Sequence, residues 1–281
     1  MQKLFNSDVK KYFLIIPFSY AFVSRYHWPR DFLINAATAW APGVILVTWQ
    51  SGLSPLLSVP LYILGYLCFI CLYEIGYIFN DSFGLRHDPT PRPRVAITFD
   101  KLFVFTFILA RGLVFSFISV ATGLAFDLAF WTASAALMLT LILHNIIKRV
   151  ELRIITFLQL SLMRFGLPIL FSLLAVDELE MVSSIFMIGL LLFTYPRILT
   201  YLEAKGRLAL PERKTSSFLL FSHCAALPLI LVIGFLDRSA APAVLWAWFT
   251  VIQLTYFWID KALFLGKLKR WLGLERSQGR G

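Results

Sequence analysis

The hydrophobic positions of this chain fall into long blocks that short polar stretches separate. Each block is close to the roughly 20 residues that a helix needs to cross a hydrocarbon core of about 30 Å. A soluble core would instead show shorter apolar runs with polar faces between them. The pattern therefore predicts an all-α, polytopic transmembrane helical bundle of about eight spans. The predicted spans are residues 31–49, 57–79, 102–124, 126–144, 154–176, 181–200, 216–236 and 241–259.

The apolar stretch before the first block is too short to be a span. Residues 12–23 contain Pro17 and have basic residues on both sides. Such a stretch is typical of a helix that lies in the membrane interface or re-enters the membrane. We therefore expect a single transmembrane helical domain over residues 1–281. It would have an N-terminal interfacial segment, residues 1–30, and a basic amphipathic cytoplasmic tail, residues 261–281.

Lysine and arginine mark one side of this predicted topology. All but four of the 26 lysines and arginines lie before the first block, after the last, or in the loops after the second, fourth and sixth. The alternate loops contain one, Arg238, together with acids such as Asp127 and Asp177. Because positive loops stay on the cytoplasmic side, we expect both termini in the cytoplasm, and the inner membrane of a bacterium as the location.

Composition supports the same class of protein. Hydrophobic residues make up 59% of the 281 positions and charged residues only 15%, which excludes an ordinary soluble domain. The net charge of +10 sits in short loops where membrane topology places it, so we expect a membrane lipid as partner and no nucleic acid. The three cysteines lie inside apolar blocks, where we expect them to pack as small hydrophobic residues.

Apart from Asp31 and Asp127 at block ends, four charged residues lie inside the apolar blocks: Glu74, Arg111, Arg164 and Arg197. A charge near the middle of the bilayer costs at least about 2.5 kcal/mol, so each should face the bundle interior and find a partner. Two alternatives are open for Arg111 and Arg164. One is an ion pair with Glu74, and the other is the binding of a phosphate, which arginine grips with two hydrogen bonds.

The end of the second block carries the most informative pattern of polar residues. Glu74, Asp81 and Asp88 recur every seven residues and share one face if the helix continues past the membrane edge. Carboxylates stacked in this way repel one another unless a cation lies between them, and with the side-chain oxygen of Asn80 they suit Mg²⁺. The alternative is that Asp81 and Asp88 hydrate the helix end and pair with nearby arginines.

One run of residues carries a resemblance to a known family: Tyr77-x-x-Asn80-Asp81-x-x-Gly84-x-x-x-Asp88, with Arg92-Pro93 downstream. The run resembles the first aspartate-rich motif of the UbiA-type intramembrane prenyltransferase superfamily, at the same end of the second span. Lys148-Arg149 with Gln159-Leu160 after the fourth span is similar to a second pattern of that family. Two positions depart from it: Gly84 replaces the middle aspartate, and Glu203 is the one acid where a second aspartate-rich motif is expected.

The resemblance implies a UbiA-like fold and a Mg²⁺-dependent transferase at the cytoplasmic face. Its substrate would be a polyprenyl diphosphate or a polyprenyl phosphate, with an acceptor that the sequence does not identify. Asn80, Asp81 and Asp88 would hold the metal, and Glu203 would be a further catalytic residue. The residues expected to bind the substrate phosphate are Arg92, Arg111, Lys148, Arg149, Arg164 and Arg197. The alternative is a non-catalytic relative that serves as a lipid-binding, transport or partner subunit.

Overall fold

The computed structural model describes residues 12–26, 29–82, 99–177, 182–208 and 216–261. Within these ranges the chain forms helices and no β-strands. The helices in chain order are α1 (Ser19–Arg25), α2 (Pro29–Asn35 and Ala41–Ser51, joined by the π-turn Ala36–Trp40), α3 (Pro55–Ser82), α4 (Lys101–Ala121), α5 (Leu128–Ile146), α6 (Val150–Leu174), α7 (Val182–Ile188 and Tyr195–Ala204, joined by the π-helical stretch Gly189–Thr194), α8 (Ser216–Leu236) and α9 (Ala241–Lys261).

Six of these helices are long and apolar enough to cross a membrane. They lie in α2 to α7 and coincide with the first six predicted blocks. Two shorter apolar helices, Leu220–Leu236 and Ala241–Thr255, coincide with the last two blocks. The prediction of an all-helical membrane protein is therefore confirmed, whereas the count of eight spans stays a prediction.

The outer surface of the bundle is apolar as well as its core. Leu56, Phe117 and Phe235 are exposed by 83%, 74% and 82%. Large exposed apolar patches are rare on soluble monomers, but lipid tails cover such side chains in a membrane. These outward-facing apolar residues thus support the assignment as a membrane protein, which the lengths of the apolar blocks also indicate.

The central helices α3 and α6 approach each other closely at a glycine. A Cβ atom placed on Gly65 of α3 would lie 2.5 Å from the carbonyl oxygen of Pro168 and 2.4 Å from the Oγ of Ser172 on α6. Small residues allow helix backbones to approach in this way inside membranes. Gly65 therefore fixes the distance between the two helices that carry most of the site described below.

Replacing Gly65 with alanine is expected to destabilise the bundle by about 1–3 kcal/mol, because the added methyl group meets backbone that cannot move aside. Gly112 of α4 is the matched control, since a Cβ atom there meets nothing within 4 Å. Gly112→Ala should leave the melting temperature in detergent unchanged or slightly raised. Equal melting temperatures for the two variants would contradict this account of the α3–α6 contact.

The N-terminal segment, residues 12–26, folds into the bundle. Its Leu14 and Tyr20 are fully buried, and they pack with Ile78 of α3 and with Phe103 and Phe107 of α4. The segment therefore packs on α3 and α4, and whether it lies in the membrane interface or re-enters the membrane stays a prediction. The predicted basic tail lies outside the described residues from position 262 onward.

Candidate functional site

The last turns of α3 present two polar faces to two different surroundings. Tyr73, Tyr77 and Asn80 line a cavity, whereas Glu74 and Asp81 bond to the N-terminal segment. Residues three or four apart lie side by side on a helix, so each set forms one face. The acidic face that the sequence predicted as a metal site is therefore occupied, over its described part, by another segment of the chain.

Glu74 and Arg111 form a fully buried ion pair, with Arg111 Nη2 and Glu74 Oε2 separated by 2.7 Å. The Glu74 carboxylate also accepts hydrogen bonds from the backbone N–H groups of Phe18, at 2.9 Å, and Ala21, at 2.6 Å. The Arg111 guanidinium donates to the carbonyl oxygens of residues 14–16 at 2.9–3.3 Å. The pair thus satisfies backbone groups of the N-terminal segment and holds that segment against α3 and α4.

The predicted role of Arg111 in binding a substrate phosphate needs correction. Its guanidinium is fully buried and its hydrogen bonds go to Glu74 and to backbone carbonyls. It does not line the cavity. The ion pair with Glu74, which was the alternative for this residue, is the arrangement that the structure has.

Asp81 also contacts the N-terminal segment. Its Oδ2 accepts a hydrogen bond of 2.6 Å from the hydroxyl of Tyr20, and its Oδ1 accepts one of 3.0 Å from Asn80 Nδ2. Asn80 itself lies at the cavity. The carboxylate is therefore placed between the segment and the cavity wall rather than inside the cavity.

A polar cavity of about 260 Å³ lies between α1, α3, α5, α6 and α7. Three arginines line it: Arg25 of α1, Arg164 of α6 and Arg197 of α7. No aspartate or glutamate of the described residues lines it. Its lining residues on α3 run from Tyr73 to Asn80, which is roughly 10 Å of helix. The cavity is a positively charged site within the last turns of that helix.

Arg164 is held by an amide and surrounded by tyrosines. Its Nη2 donates to Asn35 Oδ1 at 2.7 Å, where α2 changes from α-helix to π-turn. Burial raises the pKa of the nearby Tyr26, and the charge of Arg164 opposes that rise. With its pKa raised, the Tyr26 hydroxyl stays neutral at pH 7, so it does not neutralise the guanidinium.

Arg25 and Arg197 bring two more positive charges to the same cavity. Arg197 Nε donates to Ser161 Oγ at 3.1 Å, and the positive charges of Arg164 and Arg25 repel that of Arg197. The Arg25 guanidinium lies 3.9 Å from the ring centroid of Tyr77. Within the described ranges none of the three arginines is in an ion pair. Their mutual repulsion leaves a site that an anion would stabilise.

An apolar cavity of about 560 Å³ adjoins the polar one between α3 and α5. Its walls include Ile75 and Phe79 of α3 and Met138 and Ile142 of α5, and the two cavities share Gly76, Leu141 and Asn145 as lining residues. Its volume lies in the range of small-molecule sites, about 300–1,000 Å³. A charged cavity and an apolar one therefore lie side by side at the same end of the bundle.

The other predicted phosphate-binding residues lie outside the polar cavity or outside the described residues. Lys148 is exposed and lines the apolar cavity. Arg149 is exposed beside it and lines neither cavity. Arg92 and Asp88 fall outside the described residues. Of the six predicted cations, the structure thus brings Arg164 and Arg197 together in one cavity.

Glu203 is half-buried near the end of α7 and does not line the cavity. Its neighbour Tyr201 does, with its ring stacked on that of Phe157 at a centroid distance of 4.1 Å. Phe157 and Leu160 also line the cavity, whereas the side chain of Gln159 between them is exposed. Of the second family-like pattern, Leu160 lines the polar cavity and Lys148 lines the apolar one, whereas Arg149 and Gln159 line neither.

Two of the three predicted magnesium ligands, Asn80 and Asp81, lie among the described residues. Asn80 and Asp81 carry oxygens of the kind that Mg²⁺ prefers. Within the described ranges, however, no three residues among histidine, cysteine, aspartate and glutamate are grouped to hold a metal ion. The third predicted ligand, Asp88, lies outside them, so magnesium binding stays a prediction.

Sequence reasoning missed several residues that the cavity uses. Arg25 counted as one of many loop cations, and the roles of Asn35 and Asn145 were not predicted. Asn145 Oδ1 is buried and has no hydrogen-bond partner among the described residues. The sequence carried no signal that distinguishes Arg25 from the other cations before the first apolar block.

Neither a family model nor a curated protein nor a solved structure matches this chain. The resemblance to the UbiA-type superfamily therefore stays a prediction that rests on the quoted motifs.

Proposed function

We propose that this protein binds the phosphate or diphosphate of a polyprenyl lipid inside the bundle and acts as an intramembrane transferase of the UbiA type. The observation that carries the proposal is the cavity lined by Arg25, Arg164 and Arg197 beside an apolar cavity. We further propose eight spans, both termini in the cytoplasm and a UbiA-like fold. The basic end of the bundle, where the cavity lies, would then face the cytoplasm.

The charge of the polar cavity favours an anionic ligand. Three guanidiniums in a largely apolar bundle cost free energy unless counter-charge is present, and the described lining residues include no acid. Arginine forms paired hydrogen bonds to phosphate oxygens, which makes it the residue of choice for such groups. A phosphate or diphosphate therefore supplies what the cavity lacks.

The adjoining apolar cavity favours a ligand with a hydrocarbon chain. A polyprenyl phosphate would place its head group by the arginines and its first isoprene units between α3 and α5. The side chain of Leu141 lies over Gly76, where a Cβ atom would be only 2.4 Å from Leu141 Cδ2. A lipid that fills both cavities would pass Leu141, because this residue lines both of them.

In a transfer reaction the arginines would act on the departing group. As the bond from the isoprenoid carbon to the phosphate oxygen breaks, negative charge develops on that oxygen. Guanidiniums already fixed around it stabilise that charge without having to reorganise. The tyrosines on the cavity wall could face the positive charge that develops on the allylic carbon. The arginine and tyrosine side chains of the cavity wall would perform these two roles.

The direct test measures binding and transfer separately. Purified protein should bind geranylgeranyl diphosphate or geranylgeranyl phosphate, and should bind the uncharged alcohol geranylgeraniol much more weakly. With a set of aromatic and phosphorylated-sugar acceptors, at least one should lead to release of phosphate or pyrophosphate. Equal binding of the alcohol would contradict the anionic site. Binding without release for every acceptor would favour the second candidate.

The second candidate is a non-catalytic lipid-binding, transport or partner subunit with the same anion site. The observation in its favour is that Glu74 and Asp81, two of the acids expected near the chemistry, bond to the N-terminal segment. A site of this kind would bind the lipid through the same arginines without breaking its phosphate bond.

Magnesium dependence, which the resemblance implies, is tested at Asp81. Asp81→Asn keeps an oxygen that can accept the hydrogen bond from Tyr20 but removes the carboxylate charge, so transfer should be lost while folding is retained. Tyr20→Phe is the matched control, because it removes the hydrogen bond and leaves the carboxylate. Initial rates with and without a chelator compare the variants. Full activity of Asp81→Asn would exclude a metal role for this residue.

A further inference from the structure

The N-terminal segment supplies a residue to the cavity as well as packing against the bundle. Arg25, at the end of α1, lines the same cavity as Arg164 and Arg197. Its Nε atom is buried and has no hydrogen-bond partner among the described residues. A buried donor without an acceptor is costly, so this atom is a candidate to bind a ligand that enters the cavity.

The position of Arg25 follows from the anchors of α1. Glu74 binds the backbone N–H of Ala21, and Asp81 binds the hydroxyl of Tyr20. Arg25 lies four residues after Ala21, which is one helical turn further along the same face. This turn carries the guanidinium over the ring of Tyr77 at 3.9 Å, and Tyr77 is itself part of the cavity wall. The acidic face of α3 thus positions a cation at the site.

The charges around Arg25 favour the binding of an anion over an ion pair with an acidic side chain of the protein. Within the described ranges Arg25 has no acidic partner, and the charges of Arg25 and Arg164 both act on Arg197. A surface arginine that served only to set the orientation of the chain in the membrane would extend into water, whereas Arg25 is half-buried. The stacking on Tyr77 pre-organises the guanidinium, so less side-chain freedom is lost when an anion binds.

We infer that Arg25 is an anion-binding residue of this cavity, delivered by the N-terminal segment, and that it binds the same phosphate group as Arg164 and Arg197. The inference rests on the proposed function, since it concerns the ligand of the same site. The inference adds the N-terminal segment, which contains none of the family-like motifs, to the anion-binding site. The Glu74–Arg111 pair and the Tyr20–Asp81 hydrogen bond act as positioning contacts for this cation.

The test compares Arg25→Gln with Arg207→Gln in binding geranylgeranyl diphosphate in detergent micelles. Arg207 is the matched control, because it lies beyond α7 at the same end of the bundle, is exposed and is paired with Glu151. Loss of a charged hydrogen bond predicts a Kd for Arg25→Gln raised roughly tenfold to a hundredfold. The melting temperature without ligand should be unchanged, and Arg207→Gln should bind like the wild type.

Arg25→Lys keeps the charge without the planar fork and should give an intermediate Kd, and it serves if the glutamine variant does not fold. Wild-type Kd values for both Arg25 variants, while Arg164→Gln and Arg197→Gln lose binding, would overturn the inference and leave the proposed function standing. If the wild type does not bind the probe, the proposed function and the inference both fail.

Discussion

Replacing Arg111 with methionine is expected to lower the free energy of unfolding by about 3–5 kcal/mol, the cost of leaving one member of a buried ion pair without its partner. The Glu74 carboxylate would remain in the bundle interior without its counter-charge, and the carbonyl oxygens of residues 14–16 would lose their donor. The N-terminal segment should therefore detach before the rest of the bundle unfolds.

A double-mutant cycle separates the interaction energy of the Glu74–Arg111 pair from the effect of lost side-chain packing. Glu74→Leu combined with Arg111→Met removes both charges, so the double variant should be more stable than the sum of the single effects predicts. Arg238→Met is the control, because Arg238 is exposed at the opposite end of the bundle. Thermal unfolding in detergent measures all four variants. Additive effects of the two substitutions would contradict the view that this pair is one unit.

Replacing Arg164 or Arg197 with glutamine is expected to weaken the binding of geranylgeranyl diphosphate by roughly tenfold to a hundredfold, since each removes a charged hydrogen-bond donor from the anion. Of the two, Arg164 should have the larger effect. Its loss also frees Asn35, whose Oδ1 accepts the hydrogen bond from Arg164. The double variant should not bind measurably.

Binding isotherms check this prediction, with Arg149→Gln as the matched control. Arg149 is a cation at the same end of the bundle, but it is exposed and lines neither cavity. Its replacement should leave the Kd unchanged. A loss of affinity that is equal for Arg149→Gln and Arg164→Gln would indicate attraction by the general positive charge of this end rather than by the cavity.

The sequence was sufficient for the class of fold because apolar block length is a local property. A helix of about 20 apolar residues needs no knowledge of its neighbours to be recognised as a span. It was also sufficient to single out Glu74 and Arg111, since a charge inside an apolar block must have a partner. The pairing of these two residues was one of two alternatives that the sequence left open.

The functions of neighbouring residues on α3 could not be predicted in the same way. Asn80 and Asp81 are adjacent in sequence, yet one lines the cavity and the other bonds to Tyr20. Which face of a helix meets which neighbour depends on tertiary packing, and here on a segment about 60 residues earlier. Arg25 escaped notice for the same reason, because in the sequence it resembles every other cation of the basic loops.

The most direct test of the central claim is an experimental structure of the protein with bound geranylgeranyl diphosphate. The account predicts phosphate density within hydrogen-bond distance of Arg164 and Arg197, with the isoprenoid chain passing Leu141 into the space between α3 and α5. Phosphate density bound instead at Lys148 and Arg149 on the surface, with the arginine-lined cavity holding only solvent, would contradict it.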